Sequence, residues 1–159
     1  MNRWMIGLAA LMTLTGCDML ANDGSVPLGK GIDTPDSAWV VTSATDLGQS
    51  LAPVPSRASF TKPRTTTGRF VRVHYKVTPK KEKFVAVDSP VIVDEAGHEI
   101  KAITDDAYRP SNAQVFDTSP GTIGEFEPIY EIPKDAKKLR ARIVGKAAPG
   151  VPTLVNLKL

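Results

Sequence analysis

From residue 37 onward, apolar and polar positions alternate with a period of two, not the 3.6 of an amphipathic helix. Phe70–Val77 is the clearest run. Val71, Val73, Tyr75 and Val77 fall on one face, and Phe70, Arg72, His74 and Lys76 on the other. That pattern predicts a strand with an apolar inner face and a basic outer one. Glu125–Ile132 repeats it with the opposite charge. Phe126, Pro128, Tyr130 and Ile132 lie opposite Glu125, Glu127, Ile129 and Glu131. Pro128 has no N–H to give a ladder, so this strand is expected at a sheet edge or bulged at that point. In a third run, Leu139, Ala141 and Ile143 alternate with Lys138, Arg140 and Arg142.

Shorter segments complete the set. Ser37–Thr45 is rich in β-formers and reads as the first strand. Phe84–Asp88 and Pro90–Asp94, as two short strands or one broken strand, with Glu99–Thr104 and Thr153–Leu159, supply the others. Glu95-Ala96-Gly97-His98 is a tight hairpin connection, with Gly where a positive φ is required. Residues 46–68 hold Pro53, Pro55 and Pro63 and read as a long loop, with one short strand at Ala58–Thr61. Residues 105–120 are irregular. About seven strands with turns between them predict an all-β, immunoglobulin-like antiparallel β-sandwich over residues 37–159. The inter-sheet cysteine pair of antibody domains is absent.

The pattern is different before residue 37. Residues 18–36 carry Asn22, Gly24, Pro27, Gly29, Gly31 and Pro35 without apolar periodicity, and with Cys17 they read as a flexible tether. Ahead of them, Arg3 precedes an apolar run from Trp4 to Leu14, which ends in Gly16 and the only cysteine, Cys17. The run is shorter than the ~20 residues that span a bilayer. Basic start, apolar run and small residues make the layout of a secretory signal over residues 1–16.

Leu14-Thr15-Gly16-Cys17 resembles a bacterial lipobox. The resemblance implies cleavage between Gly16 and Cys17, a diacylglycerol on the Cys17 thiol, and acylation of the new amino group. Several acyl chains, at ~0.8 kcal/mol per buried CH₂, hold a protein on a bilayer where one does not. Asp18 resembles the sorting signal that keeps enterobacterial lipoproteins in the inner membrane. That resemblance implies, in a Gram-negative cell, the periplasmic face of the inner membrane in preference to the outer membrane.

Composition adds limits. The 159 residues carry 20 Lys and Arg against 17 Asp and Glu, a formal charge of +3. There is no long basic block of the kind that binds nucleic acid. A single cysteine allows no disulfide within the chain, so the domain rests on its core.

A second resemblance covers residues 37–159. Thr67-Gly68-Arg69-Phe70-Val71-Arg72-Val73-His74-Tyr75-Lys76-Val77 is similar to a strand of the telokin-like domain of unknown function carried by many bacterial lipoproteins. Val91–Glu99, Asp105–Tyr108, Pro120-Gly121 and Tyr130–Ala136 follow in that family's order. The resemblance implies an immunoglobulin-like sandwich that displays binding loops. It brings no catalytic residues.

Candidate chemistry is sparse. His74 and His98 lack metal-ligand spacing and read as exposed polar residues. Asp105-Asp106, with Asp88, Asp94 and Glu95 nearby, has no calcium-loop order, and solvated turn residues are the simpler reading. No Gly-x-Ser-x-Gly elbow occurs, and Gly29-Lys30-Gly31 lacks the flanking strand and helix of a phosphate loop. The expectation is a non-enzymatic protein with no metal and no cofactor. The basic stripes Arg72, His74, Lys76 and Lys138, Arg140, Arg142 carry two readings: pairing with acidic neighbours across the sheet, or a face that meets a partner. The functional expectation is an envelope lipoprotein whose domain binds a protein in an accessory, assembly or inhibitory role. A structural or stress role at the bilayer surface is the alternative.

Overall fold

The computed structural model describes residues 24–80, 84–85, 89–110, 117–143 and 153–159. Gly16, Cys17 and Asp18, with the rest of the expected signal peptide, lie outside the described residues.

Strand β4 (Arg64–Pro79) is the spine of the first sheet. Val71, Val73, Tyr75 and Val77 are fully buried, as the alternation requires. Strand β3 (Ser37–Leu51) pairs antiparallel along its length, from Ser37 opposite Pro79 to Leu51 opposite Arg64. The expected loop at 46–68 is therefore mostly strand. Only residues 52–63 connect the pair, and a short 3-10 turn at Pro55–Arg57 stands there instead of the strand expected at Ala58–Thr61. The β3 register slips between Val41 and Ser43, between Asp46 and Gly48, and between Gly48 and Ser50. Gly48 takes φ 78°, with its N–H on the Asp46 carboxylate at 2.8 Å. Such bulges turn a strand's side chains to new faces, which hides the alternation from a reader of the sequence.

Strand β2 (Gly31–Asp33) joins the other edge of β3. Strands β9 (Gly124–Phe126) and β10 (Ile129–Ile132) pair with the other side of β4. Phe126 sits opposite Tyr75 and Ile129 opposite Arg72, so the register runs unbroken through Pro128. The Pro128 carbonyl still accepts from the Val73 N–H at 3.1 Å. The proline thus sits in the break between β9 and β10, with no bulge on its account.

The second sheet runs β1 (Val26–Pro27), β12 (Leu154–Asn156), β11 (Arg140–Arg142), β6 (Val91–Val93), β7 (Glu99–Ile100). Only β1 and β12 are parallel. After β7 the chain crosses to the first sheet, where Ala102 bridges Tyr130 and the Ile103 N–H reaches the Ile129 carbonyl at 2.8 Å. The order β3, β4, β10, residues 102–103 faces the order β12, β11, β6, β7. This is the A-B-E-D against G-F-C-C′ arrangement of immunoglobulin-like sandwiches. A separate ribbon pairs β5 (Phe84–Val85) with β8 (Asp117–Thr118).

The tether expected over residues 17–36 is not found in its described part. Residues 24–36 belong to the fold, with Val26 and Ile32 buried in the core and the Gly29 N–H on the Val41 carbonyl at 2.9 Å. Isolated apolar residues between turn-formers carry no periodicity, so pattern alone could not assign them. The β2–β3 turn is closed by a buried hydroxyl network. Thr34 Oγ1 lies 3.0 Å from Ser37 Oγ, which accepts the Trp39 indole N–H at 2.8 Å.

Trp39 and Phe126 meet edge to face at 6.0 Å, and Tyr75 stacks on Phe126 at 5.2 Å. Such pairs add ~0.5–1.5 kcal/mol beyond area burial. Tyr130 donates to the Pro90 carbonyl at 2.6 Å and lies 3.2 Å from the Tyr75 hydroxyl. Burial pushes both phenol pKa values up, so both stay neutral donors. Tyr130→Phe strands the Pro90 carbonyl and the Tyr75 hydroxyl together, whereas Tyr75→Phe leaves the Tyr130–Pro90 bond intact. Urea unfolding is expected to show a loss of ~1–3 kcal/mol for Tyr130→Phe and a smaller loss for Tyr75→Phe.

Candidate functional site

The outer face of the first sheet carries a second, small apolar cluster. Leu51, Phe70 and Ile129 are buried there, with Leu47, Ile103 and Tyr108 packed against them. These positions would face water if the sheet were bare. Two loops cover them. The 52–63 connection is pinned to the loop after Ile103 by the Val54 N–H on the Ala107 carbonyl at 2.8 Å. The Tyr108 hydroxyl closes the same contact on the Lys62 carbonyl at 2.7 Å. Asp105 shapes the second loop by accepting the Ala107 N–H at 2.9 Å.

Between loops and sheet lies an open cleft of about 840 Å³. That is within the ~300–1,000 Å³ of ordinary ligand sites. Leu51, Ile129 and Arg72 come from the sheet, Pro53, Val54 and Pro55 from one loop, and Asp106, Tyr108, Arg109 and Pro110 from the other. Arg57 joins them from the 3-10 turn. Arg109 is committed to Asp106 by an ion pair. Arg72 is different. No carboxylate among the described residues pairs with it, and its Nε, like that of Arg140 on the other sheet, is shielded from solvent without a hydrogen-bond partner there. A shielded guanidinium donor left unmet is unfavourable unless something else accepts from it.

The six basic residues singled out from sequence do not form one face. Arg72, His74 and Lys76 point outward from the first sheet, and Lys138, Arg140 and Arg142 belong to the second. Lys76 pairs with Glu125 directly opposite at 2.8 Å. His74 lies 3.2 Å from Glu125 and 3.9 Å from Glu127. On the second sheet Lys138 takes φ 48° just before β11 and reaches Glu95 at 3.0 Å. Arg140 donates to the Asp94 carbonyl at 2.9 Å, and Arg142 pairs with Glu99. Acidic neighbours therefore account for four of these side chains and a backbone carbonyl for Arg140, and of the six Arg72 alone lines the cleft.

The cleft was missed because its parts are far apart in sequence. Its one signal was the presence of Phe70 and Ile129 on otherwise charged strand faces, which called for a cover. Of the acidic residues weighed for calcium, Asp105 closes a turn, Asp106 holds Arg109, and Asp88 lies outside the described residues. Among the described residues no three His, Cys, Asp or Glu side chains gather as a metal site would need, and no helix is long and apolar enough to cross a membrane. No family model matches the chain, and no curated protein or solved structure is significantly similar to it.

Two carboxylates respond to their partners. The Lys76 hydrogen bond and charge, helped by His74, hold Glu125 below its ordinary pKa. Partial burial opposes ionisation of Asp94, but hydrogen bonds from the His98 ring and backbone outweigh it and hold the carboxyl low. Both groups bind protons less readily folded than unfolded. Their stabilisation is complete above the ordinary carboxylate range and is lost as pH falls through the lowered folded values. Thermal unfolding followed from neutral pH to about pH 3 is expected to show a shallower acid decline for an Asp94→Asn/Glu125→Gln double variant than for the native chain.

Proposed function

We propose that this chain is a lipid-anchored envelope protein whose sandwich is a non-catalytic binding module for another protein. The observation that carries the reading is the roofed cleft, where two loops hold an apolar floor and an unmet arginine in one concave surface. A sandwich supplies a rigid base for such loops, and concave, partly apolar sites with few polar groups are where ligands bind.

The anchor rests on the lipobox resemblance at Cys17. Val26 is buried in the core nine residues after Cys17, so the stretch between them reaches at most ~32 Å, at 3.3–3.6 Å per residue. That keeps the domain close to the headgroups, on the periplasmic face of the inner membrane if Asp18 is read as in enterobacteria. Mass spectrometry of the membrane fraction is expected to recover an acylated N-terminal peptide beginning at Cys17, and Cys17→Ser to move the protein out of that fraction. In-cell crosslinking of the tagged full chain is expected to give one dominant, saturable protein partner. Its absence would overturn the binding reading.

One observation favours the second reading, a role at the bilayer surface. Phe60 is 72% exposed in the 52–63 connection, near Arg57, Lys62 and Arg64. An aromatic among cations suits anionic headgroups. If that reading holds, Phe60→Ser at least halves the partition of a Cys17→Ser chain onto anionic vesicles. Unchanged partition removes it.

A further inference from the structure

We infer that the cleft is a carboxylate-binding site, and that its occupant is an acidic side chain of a peptide segment flanked by apolar residues. The inference rests on the binding-module reading and names the chemistry of its partner.

The arginine decides the anion. A guanidinium offers its two Nη groups as a parallel pair of donors that match the two oxygens of a carboxylate. In Arg72 the Nε is closed to solvent, so the pair that can meet a ligand in the cleft is the two Nη groups. Thr45 and Ile129 flank Arg72 across the ladder, and neither side chain brings an anion to it. Arg57 stands on the cleft lining and adds a second positive charge, with no ion pair among the described residues. Arg109 adds none, because Asp106 neutralises it.

The Asp106–Arg109 pair is neutral as a whole, so the charge an incoming anion meets is that of Arg72 and Arg57. Around the cationic centre, Leu51, Ile129, Pro53 and Val54 offer apolar surface. An isolated acetate would leave that surface wet. A glutamate or aspartate between apolar neighbours covers it and gains their burial. Rigid prolines on the loop reduce the ordering that binding would otherwise require.

The test uses the full chain in detergent micelles and the blocked peptide acetyl-Pro-Leu-Glu-Leu-amide, titrated by calorimetry and by NMR of the arginine Nε–H groups. Saturable binding is expected, with a shift at Arg72 Nε–H and at least tenfold weaker binding of the Glu→Gln peptide. Arg72→Met is expected to weaken binding at least tenfold, and Arg72→Lys nearly as much, because the charge remains but the fork is lost. Near-ultraviolet circular dichroism of the buried Trp39 reports whether these variants fold. Arg57→Met, at an exposed position, is expected to weaken binding several-fold without touching the fold. Arg140→Met, on the other sheet, is expected to leave it unchanged.

Equal binding of the Glu and Gln peptides, or no effect of Arg72→Met in a folded variant, would overturn the site. Phosphate displacing the peptide better than acetate at equal ionic strength would overturn the choice of carboxylate. Decanoate binding where the peptide fails would assign the carboxylate to a free amphiphile and overturn the peptide. A dominant crosslinked partner whose contacts avoid residues 52–57 and 105–110 would sink the cleft while leaving the binding-module reading intact.

Discussion

Strand β4 is paired on both sides, and that constraint organises the molecule. A strand with neighbours on each edge cannot relieve a misplaced side chain by twisting away, so alternate residues are fixed into two different environments. Its inward residues make the sandwich core with Trp39, Phe126 and Tyr130. Its outward residues divide again. Phe70 is sealed under the loops, Arg72 opens into the cleft, and His74 and Lys76 meet the acids of β9 and the segment after it. A slip of one residue would drive Arg72 into the core and bring Val71 to the surface, so core and cleft stand or fall together. Gly68 shows how tight the pairing is: a Cβ there would lie 1.9 Å from the Ile132 carbonyl oxygen.

Where side chains alternate in register, the sequence was legible. The strands around Phe70–Val77, Glu125–Ile132 and Leu139–Ile143 follow their patterns, and Gly97 takes φ 88° in the expected hairpin. Where a strand is bulged, the pattern disappears. β3 runs on to Leu51, past Asp46 and Gly48, because backbone pairing with β4 continues after side-chain alternation is interrupted. β1 and β2 were invisible for another reason. Val26 and Ile32 each bury one side chain, and a single apolar residue defines no period. The break at Pro128 between β9 and β10 was legible, since a missing N–H is a local fact. The cleft was not, because Arg57, Arg72 and Arg109 meet only once the loops have closed over the sheet.

The charged surface divides along the same lines. Lys76–Glu125 is a surface pair set by register, and Arg64–Glu131 and Lys138–Glu95 are surface pairs between neighbouring segments. Pairs of this kind are screened by solvent and contribute little, but they neutralise charge that would otherwise attract any opposite surface. Their effect is to leave the outer faces weakly attractive in general, so that an arginine without such a partner becomes a specific feature.

That arginine is difficult to explain by stability. A leucine or methionine at position 72 would continue the outer apolar cluster beside Ile129 and bury no unmet donor. Filling such a position with an apolar side chain is worth ~1.5–3 kcal/mol when burial is complete, and a good deal less at a half-buried site. The loops are difficult to explain in the same terms, since a shorter hairpin connection would close β3 onto β4 with less chain to order. A long cover that leaves a cleft, together with a cation on its lining, departs from the most stable solution at two points that meet in space. Departures of that kind gather where a surface has something to hold.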